Sequence, residues 1–258
     1  VFNPWSEYDE SCDLGPDAPA IRCQQLRDYL APRLSKARIV LVAEAAGYQG
    51  CRFTGIPITC ERMLLDQHKQ IGSAIILGHR GQRTSRPDSP YMTSRPQREK
   101  GMNEPTDTYV WGAVVDNGLD PRDVLLWNIF PFHPYKASPF SNRTPTDSEL
   151  AEGLVYAKAL LQYCRPDIRL AEIGRNPAKC RLPGPGHAPS GKRWCQPLPG
   201  TVRTFFPIIL LKNRLNSIFT LNLSVFLRKH ARKSLHRLPK LFIIIGTPQY
   251  IRAFSLIQ

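Results

Sequence analysis

The hydrophobic and polar positions alternate between two rhythms along the chain. Residues 1 to 19 hold Pro4, Pro16 and Pro19 and read as an irregular lead-in. Ala20 to Ala31 carries Leu26 and Leu30 at four-residue spacing, continued by Leu34, which predicts one helix face; Pro32 ends or kinks it. Ile39-Val-Leu-Val42 is an unbroken apolar run, the pattern of a parallel strand covered on both faces. A glycine-punctuated loop follows from 43 to 58. Thr59 reads as the N-cap of a helix ending near His68, with Glu61 in its first turn. Ser73 to Leu77 reads as a strand. Residues 79 to 104, rich in Arg, Ser, Pro and Gln, read as a long surface loop of the kind that often carries function.

Asp107 to Asn117 predicts a helix stopped by Gly118. Val124 to Trp127 is a second apolar strand, and Pro131, Pro134, Pro139 and Pro145 stiffen the loop after it. Thr146 to Tyr163 predicts an amphipathic helix whose Thr146 and Glu149 form a capping box. Ile168 to Ile173 is a further strand, leading to Gly174-Arg175. Strands that alternate with helices predict an α/β fold, a three-layer α/β/α sandwich around a central, mostly parallel sheet.

Charge divides the chain. The formal net charge is +14 over 258 residues. Residues 1 to 174 hold all 21 acids and 20 of the 35 Lys and Arg, whereas residues 175 to 258 hold 15 basic residues and no acid. The expected organisation is therefore a domain over 1–175 and an aberrant basic, poorly ordered tail over 176–258. The tail carries apolar runs, such as Leu241-Phe-Ile-Ile-Ile245, that a disordered basic arm lacks. Basic residues interrupt these runs too early for a membrane span. The seven cysteines show no C-x-x-C pair and no zinc spacing, so free thiols in a reducing cytoplasm are expected, with no metal and no cofactor. No signal peptide is expected from the N-terminal stretch. The chain opens on Val1 rather than Met, so a true start upstream or at an alternative codon is the expectation.

The chemistry concentrates in two stretches. The first is Ala43-Glu-Ala-Ala-Gly-Tyr-Gln-Gly-Cys-Arg-Phe-Thr-Gly-Ile-Pro-Ile58, and the second is Leu125-Leu-Trp-Asn128 with Phe130-Pro-Phe-His133 behind it. Two strand ends side by side are how an α/β sheet builds a site at its carboxyl edge. Gly47, Gly50 and Gly55 let backbone approach a ligand, Thr54 and Pro57 fix the turn, and Asn128 offers one acceptor and two donors. The same residues also fit a turn without a ligand, with Glu44 capping the turn and Asn128 satisfying a strand end. His133 reads as structural. Arg52, Arg83, Arg86, Arg95 and Arg98 are placed either to meet phosphates or to sit in solvent.

In this order the two stretches resemble the uracil-DNA glycosylase superfamily. Ala43-Glu44-Ala45-Ala46-Gly47 is similar to the Gly-Glu-Ala-Pro-Gly of its iron–sulfur branch, although Cys12 and Cys23 lack that cluster's spacing. Gly47, Gly50, Thr54, Gly55 and Pro57 match the spacing of its single-strand-selective branch. That branch's water-positioning asparagine falls on Ala45 and its stacking phenylalanine on Ile58, with Phe53 nearby. Gly47 stands where uracil-specific relatives place a tyrosine that rejects thymine, so the resemblance implies a pocket open to larger bases. It implies that Glu44 holds or activates water and that Asn128 reads uracil. The implied activity is metal-free excision of uracil or a related deaminated base from DNA in base-excision repair, by a cytoplasmic monomer that does not enter membranes.

The superfamily's third motif, a His-Pro-Ser element, has only an out-of-register counterpart at His187 and Ser190 in Gly186-His-Ala-Pro-Ser190. Shifting the reading frame by one base lets this region encode His-Pro-x-x-Asn-x-Gly-Ala-Asn. We therefore read the tail as out-of-frame translation, an idea that sequencing the gene decides: a shifted frame without the motif contradicts it. His187 is a weak second catalytic candidate. The rival readings are a non-catalytic DNA-binding pseudoenzyme that uses the basic tail, and an enzyme acting on a free nucleobase or nucleotide.

Overall fold

The computed structural model describes residues 1–173 and, beyond them, the backbone of two short strands. The chain runs through α1 (Ala18–Leu30), β1 (Ile39–Ala45), α2 (Cys51–Thr54), α3 (Glu61–Leu64), α4 (Ser73–Ile76), α5 (Arg95–Lys100), α6 (Pro105–Asp116), β2 (Val124–Phe130), α7 (Asp147–Gln162) and β3 (Arg169–Glu172). The two later strands, β4 (Ile244–Thr247) and β5 (Tyr250–Ala253), pair antiparallel. His187, Ser190 and the rest of the tail lie outside the described residues.

The first three strands form one parallel sheet in the order β2-β1-β3. Side chains alternate across a strand, and the core divides accordingly. Leu41, Val124, Leu126 and Ala171 join Ile58, Met63, Leu64, Ile76, Trp111 and Val114 in one cluster. Val40, Val42, Leu125, Trp127 and Ile129 join Leu150, Ala157 and Leu160 in another. Every residue of β2 is buried, Asn128 included, and the strand extends three residues beyond the apolar run Val124 to Trp127. The fold is thus of the α/β class, with apolar clusters on both faces of a three-stranded parallel sheet.

The α7 expectation holds in detail. Thr146 Oγ1 accepts from Glu149 N, and Glu149 Oε2 accepts from Thr146 N at 2.8 Å. Arg143 clamps the Glu149 carboxylate from both guanidinium ends at 2.7 and 2.6 Å. Gly153 lets α7 sit directly on β2: a Cβ there would stand 2.1 Å from the Ile129 carbonyl oxygen.

Four expectations are corrected. Ser73 to Leu77 is not a strand but α4. Asp66 holds its start, accepting from Ser73 N at 2.8 Å and from Ser73 Oγ at 3.1 Å. A short apolar run does not by itself separate strand from helix. Thr59 is not an N-cap. Its hydroxyl donates to Pro57 O and accepts from Trp111 Nε1, while Cys60 in extended conformation precedes α3, which ends at Leu64 rather than near His68. The 79–104 segment is not simply a surface loop. It contains α5, and Thr84, Ser85, Ser89, Met92 and Met102 are buried. Finally, α6 begins two residues before Asp107, with Pro105 at its first position and Glu104 as N-cap.

The lead-in is irregular yet anchored. Phe2 and His133 exchange backbone hydrogen bonds at 2.9 Å. The buried Arg22 guanidinium reaches Asp13 at 2.8 Å and also donates to the carbonyls of Pro4 and Glu7.

Candidate functional site

The parallel register sets Ala43 opposite Asn128 and Ala45 opposite Phe130, so β1 and β2 end together. Asn128 is 1% exposed, and its Oδ1 has no hydrogen-bond partner among the described residues. Such an orphaned buried acceptor costs about 1–3 kcal/mol unless a ligand donates to it. The Glu44 side chain, partly buried near the end of β1, makes no hydrogen bond or ion pair with a described residue.

Beyond β1 the chain turns at Gly47. The amides of Gly50 and Arg52 both donate to the Gly47 carbonyl, at 3.3 and 3.2 Å, and Tyr48 N donates to Asn142 Oδ1 at 3.1 Å. Thr54 stitches the following turn: its hydroxyl donates to Thr59 O at 2.8 Å and accepts from Ile56 N at 3.1 Å. Gly55 has φ +72°, and a Cβ there would stand 2.5 Å from the Arg22 carbonyl oxygen. Glycine is therefore required at this left-handed position.

Two carboxyls support the loop from α6. A Cβ on Gly47 would stand 2.8 Å from Glu104 Oε2; one on Gly50 would stand 2.6 Å from the same oxygen and 2.9 Å from Asp107 Oδ2. Asp107 is 1% exposed, and Oδ2 has no partner among the described residues. Burial raises Glu104 to about 7. Burial, reinforced by Glu104, holds Asp107 well above the usual carboxylate range. Two carboxyls this close do not ionise together readily. Burial beside the same acids pushes the Cys51 thiol far up and that of Cys60 to about 12, so neither acts as a thiolate.

An aromatic cluster borders the loop. Tyr48 stacks on Phe140 with centroids 5.7 Å apart, while Tyr91 and Phe53 approach Phe140 at 5.5 and 5.7 Å.

The predicted residues thus separate into two sets. Glu44, Ala45 and Gly47 are partly buried near the end of β1, and Asn128 pairs in register with Ala43, the residue before Glu44. Thr54, Gly55, Pro57, Ile58 and Phe53 are buried and build the turn and the core. Phe53 is 0% exposed, among Cys12, Met92 and Met102. Ile58, at φ +52°, gives its carbonyl to Trp111 Nε1 at 3.0 Å. His187 lies outside the described residues.

The arginine expectations are corrected in part. Arg52 is buried, pairs with Asp9 at 2.7 Å and stacks on Phe2 at 3.8 Å, which removes it from any phosphate. Arg83 donates to the carbonyls of Ser85, Gln97 and Arg98, and Arg98 donates to Met92 O. His133 is structural, its ring bonded to Ser141 O at 2.8 Å; burial and then Arg52 lower it to about 4. Glu104 and Asp107 were missed. Their only trace in the sequence is a pair of acids three apart at a helix start, which ordinarily signals solvated partners of the helix dipole.

A cavity of about 300 Å³ lined by Asn3, Trp5, Ser6, Leu26, Trp127, Pro131, Phe132 and Tyr156 is distinct from this site. Trp127 and Asn128 are successive residues of one strand, so they point to opposite faces. Among the described residues, no group of His, Cys, Asp and Glu is placed to hold a metal ion, and no helix is long and apolar enough to cross a membrane. No family model matches the chain, and no curated protein matches it by sequence.

Proposed function

We propose that the paired ends of β1 and β2 form the base pocket of a uracil-DNA glycosylase-like hydrolase, built on a three-layer α/β/α sandwich and acting on DNA as a cytoplasmic monomer. The observation that carries this reading is the Asn128 carboxamide, buried within β2 two residues before its end, with an unpartnered Oδ1. Its acceptor takes the N3–H of a flipped uracil and its amide N–H meets O4, so cytosine is mismatched at both atoms. The glycosidic C1′–N1 bond breaks with its electron pair going to the base. Water adds to C1′, and Glu44 orients that water, accepts its proton and supports the developing sugar cation.

Anisotropy competition between otherwise identical single-stranded oligonucleotides tests the reading. At fixed salt the uracil oligonucleotide binds more tightly than its cytosine counterpart, and N128A removes the difference. Equal binding of both by the unaltered chain, falling steeply as salt rises, supports a non-catalytic DNA-binding protein instead.

A further inference from the structure

We infer that the cavity between the lead-in, β2 and α7 is a binding site for a small, uncharged, planar ring compound that carries a hydrogen-bond acceptor on its edge. The site is separate from the strand-end pocket, and it does not rest on the uracil-excision reading.

Size and composition set the class of ligand. The cavity holds about 300 Å³, at the small end of the sites that take organic ligands. Trp5, Trp127, Phe132 and Tyr156 supply aromatic walls. None of the described residues that line it carries a charged side chain, so an ionic ligand would leave its charge unpaired in an apolar space. The volume leaves room for one or two fused rings.

The walls are fixed by contacts of their own. Trp5 Nε1 donates to Gly55 O at 3.1 Å, and the Trp5 amide donates to Asn3 Oδ1 at 3.0 Å. Phe132 stands edge-on to Trp5, Phe130 and Tyr156, with ring centroids 6.2, 5.4 and 5.4 Å apart. Rings held at such angles present faces and edges to a flat guest. Walls ordered in advance lose little freedom when the guest binds.

One polar group points to the acceptor. Trp127 is 7% exposed, and its Nε1 has no hydrogen-bond partner among the described residues. An indole N–H only donates, and a buried one ordinarily finds a partner. Trp5 and Trp111 show the ordinary case, donating to the carbonyls of Gly55 and Ile58. Of the described tryptophans, the one that lacks a partner is thus one that lines the cavity. A ring nitrogen or carbonyl oxygen on the ligand accepts from Nε1 and removes the cost of leaving it bare.

Quinoline and naphthalene test this, because they share one shape and differ by a single ring nitrogen. The full chain is titrated with each and followed by saturation-transfer NMR. W127F keeps an aromatic wall and removes the donor. S6W adds bulk from exposed Ser6, which also lines the cavity, and so tests the location without altering the core. Far-UV circular dichroism confirms the fold of both variants. Both compounds bind the unaltered chain, W127F lowers the quinoline-to-naphthalene affinity ratio about tenfold, and S6W abolishes binding of both. An unchanged ratio in W127F, unchanged binding in S6W, or an unaltered chain that binds neither compound overturns the inference.

Discussion

The carboxyl of Glu104 stands where a side chain on Gly47 would begin, 2.8 Å from the Cβ position. The glycine loop is held by what lies beside it as much as by its own hydrogen bonds. The obstruction at Gly47 is the end of a flexible side chain. At Gly153 it is backbone, with the Ile129 carbonyl oxygen 2.1 Å from the Cβ position.

This contrast predicts unequal costs for the same substitution. G153A forces α7 away from β2 and lowers stability by about 3 kcal/mol or more, within the range of severe overpacking. G47A turns one side chain aside and costs about 1 kcal/mol or less. Urea unfolding midpoints check both, and a G47A cost equal to that of G153A contradicts the geometry.

The carboxyl pair predicts a pH signature. The folded state holds the Glu104 proton to about 7, above the ordinary value of 4.5. Its contribution to stability is therefore full below the unfolded value and is lost as pH rises through the folded one. His133 acts oppositely. It is buried neutral and lowered to about 4, so its contribution is lost as pH falls below 6.5. Comparing E104Q with the unaltered chain at each pH cancels the His133 effect. The stability difference shifts in favour of E104Q as pH rises from about 5 to about 8. A difference that stays constant over that window removes Glu104 as the titrating group.

Glu61 predicts a local anchor. Its Oε1 accepts from the amides of Thr84 and Ser85, both at 2.9 Å, and its Oε2 accepts from Ser85 Oγ at 2.5 Å and Met102 N at 3.1 Å. One buried carboxylate thus ties both ends of the 84–102 segment to α3. E61A strands four donors and costs about 3–5 kcal/mol, comparable to breaking a buried charged network. Limited trypsin digestion of E61A cleaves first after Arg98 or Lys100, because Pro87 and Pro96 protect the bonds after Arg86 and Arg95. First cleavage elsewhere contradicts the anchoring role.

These particulars show why some features are legible in the sequence and others are not. The β1 and β2 runs and the Thr146–Glu149 box are local patterns, and each maps directly onto an observed element. The Ser73 segment misleads because its helix is set by Asp66, seven residues away. Glu61 does stand in the first turn of a helix, as read, but its burial, like the placing of Arg52, Glu104 and Asp107, is set by contacts with distant parts of the chain. Each is an ordinary surface residue by type. At the site, Asn128 was legible as a polar residue directly after an apolar run, although β2 continues two residues beyond it. The acids behind Gly47 and Gly50 were not, because only the packing of α6 brings them there.

The central claim is that the β1–β2 strand ends bind and release uracil, and direct detection of the free base tests it most closely. The full chain is incubated with single-stranded oligonucleotides carrying uracil or cytosine at one position, and released base is quantified by chromatography. The account predicts free uracil from the first, no cytosine from the second, and loss of release in E44Q with oligonucleotide binding retained. No released uracil from the unaltered chain, or equal release by E44Q, contradicts it.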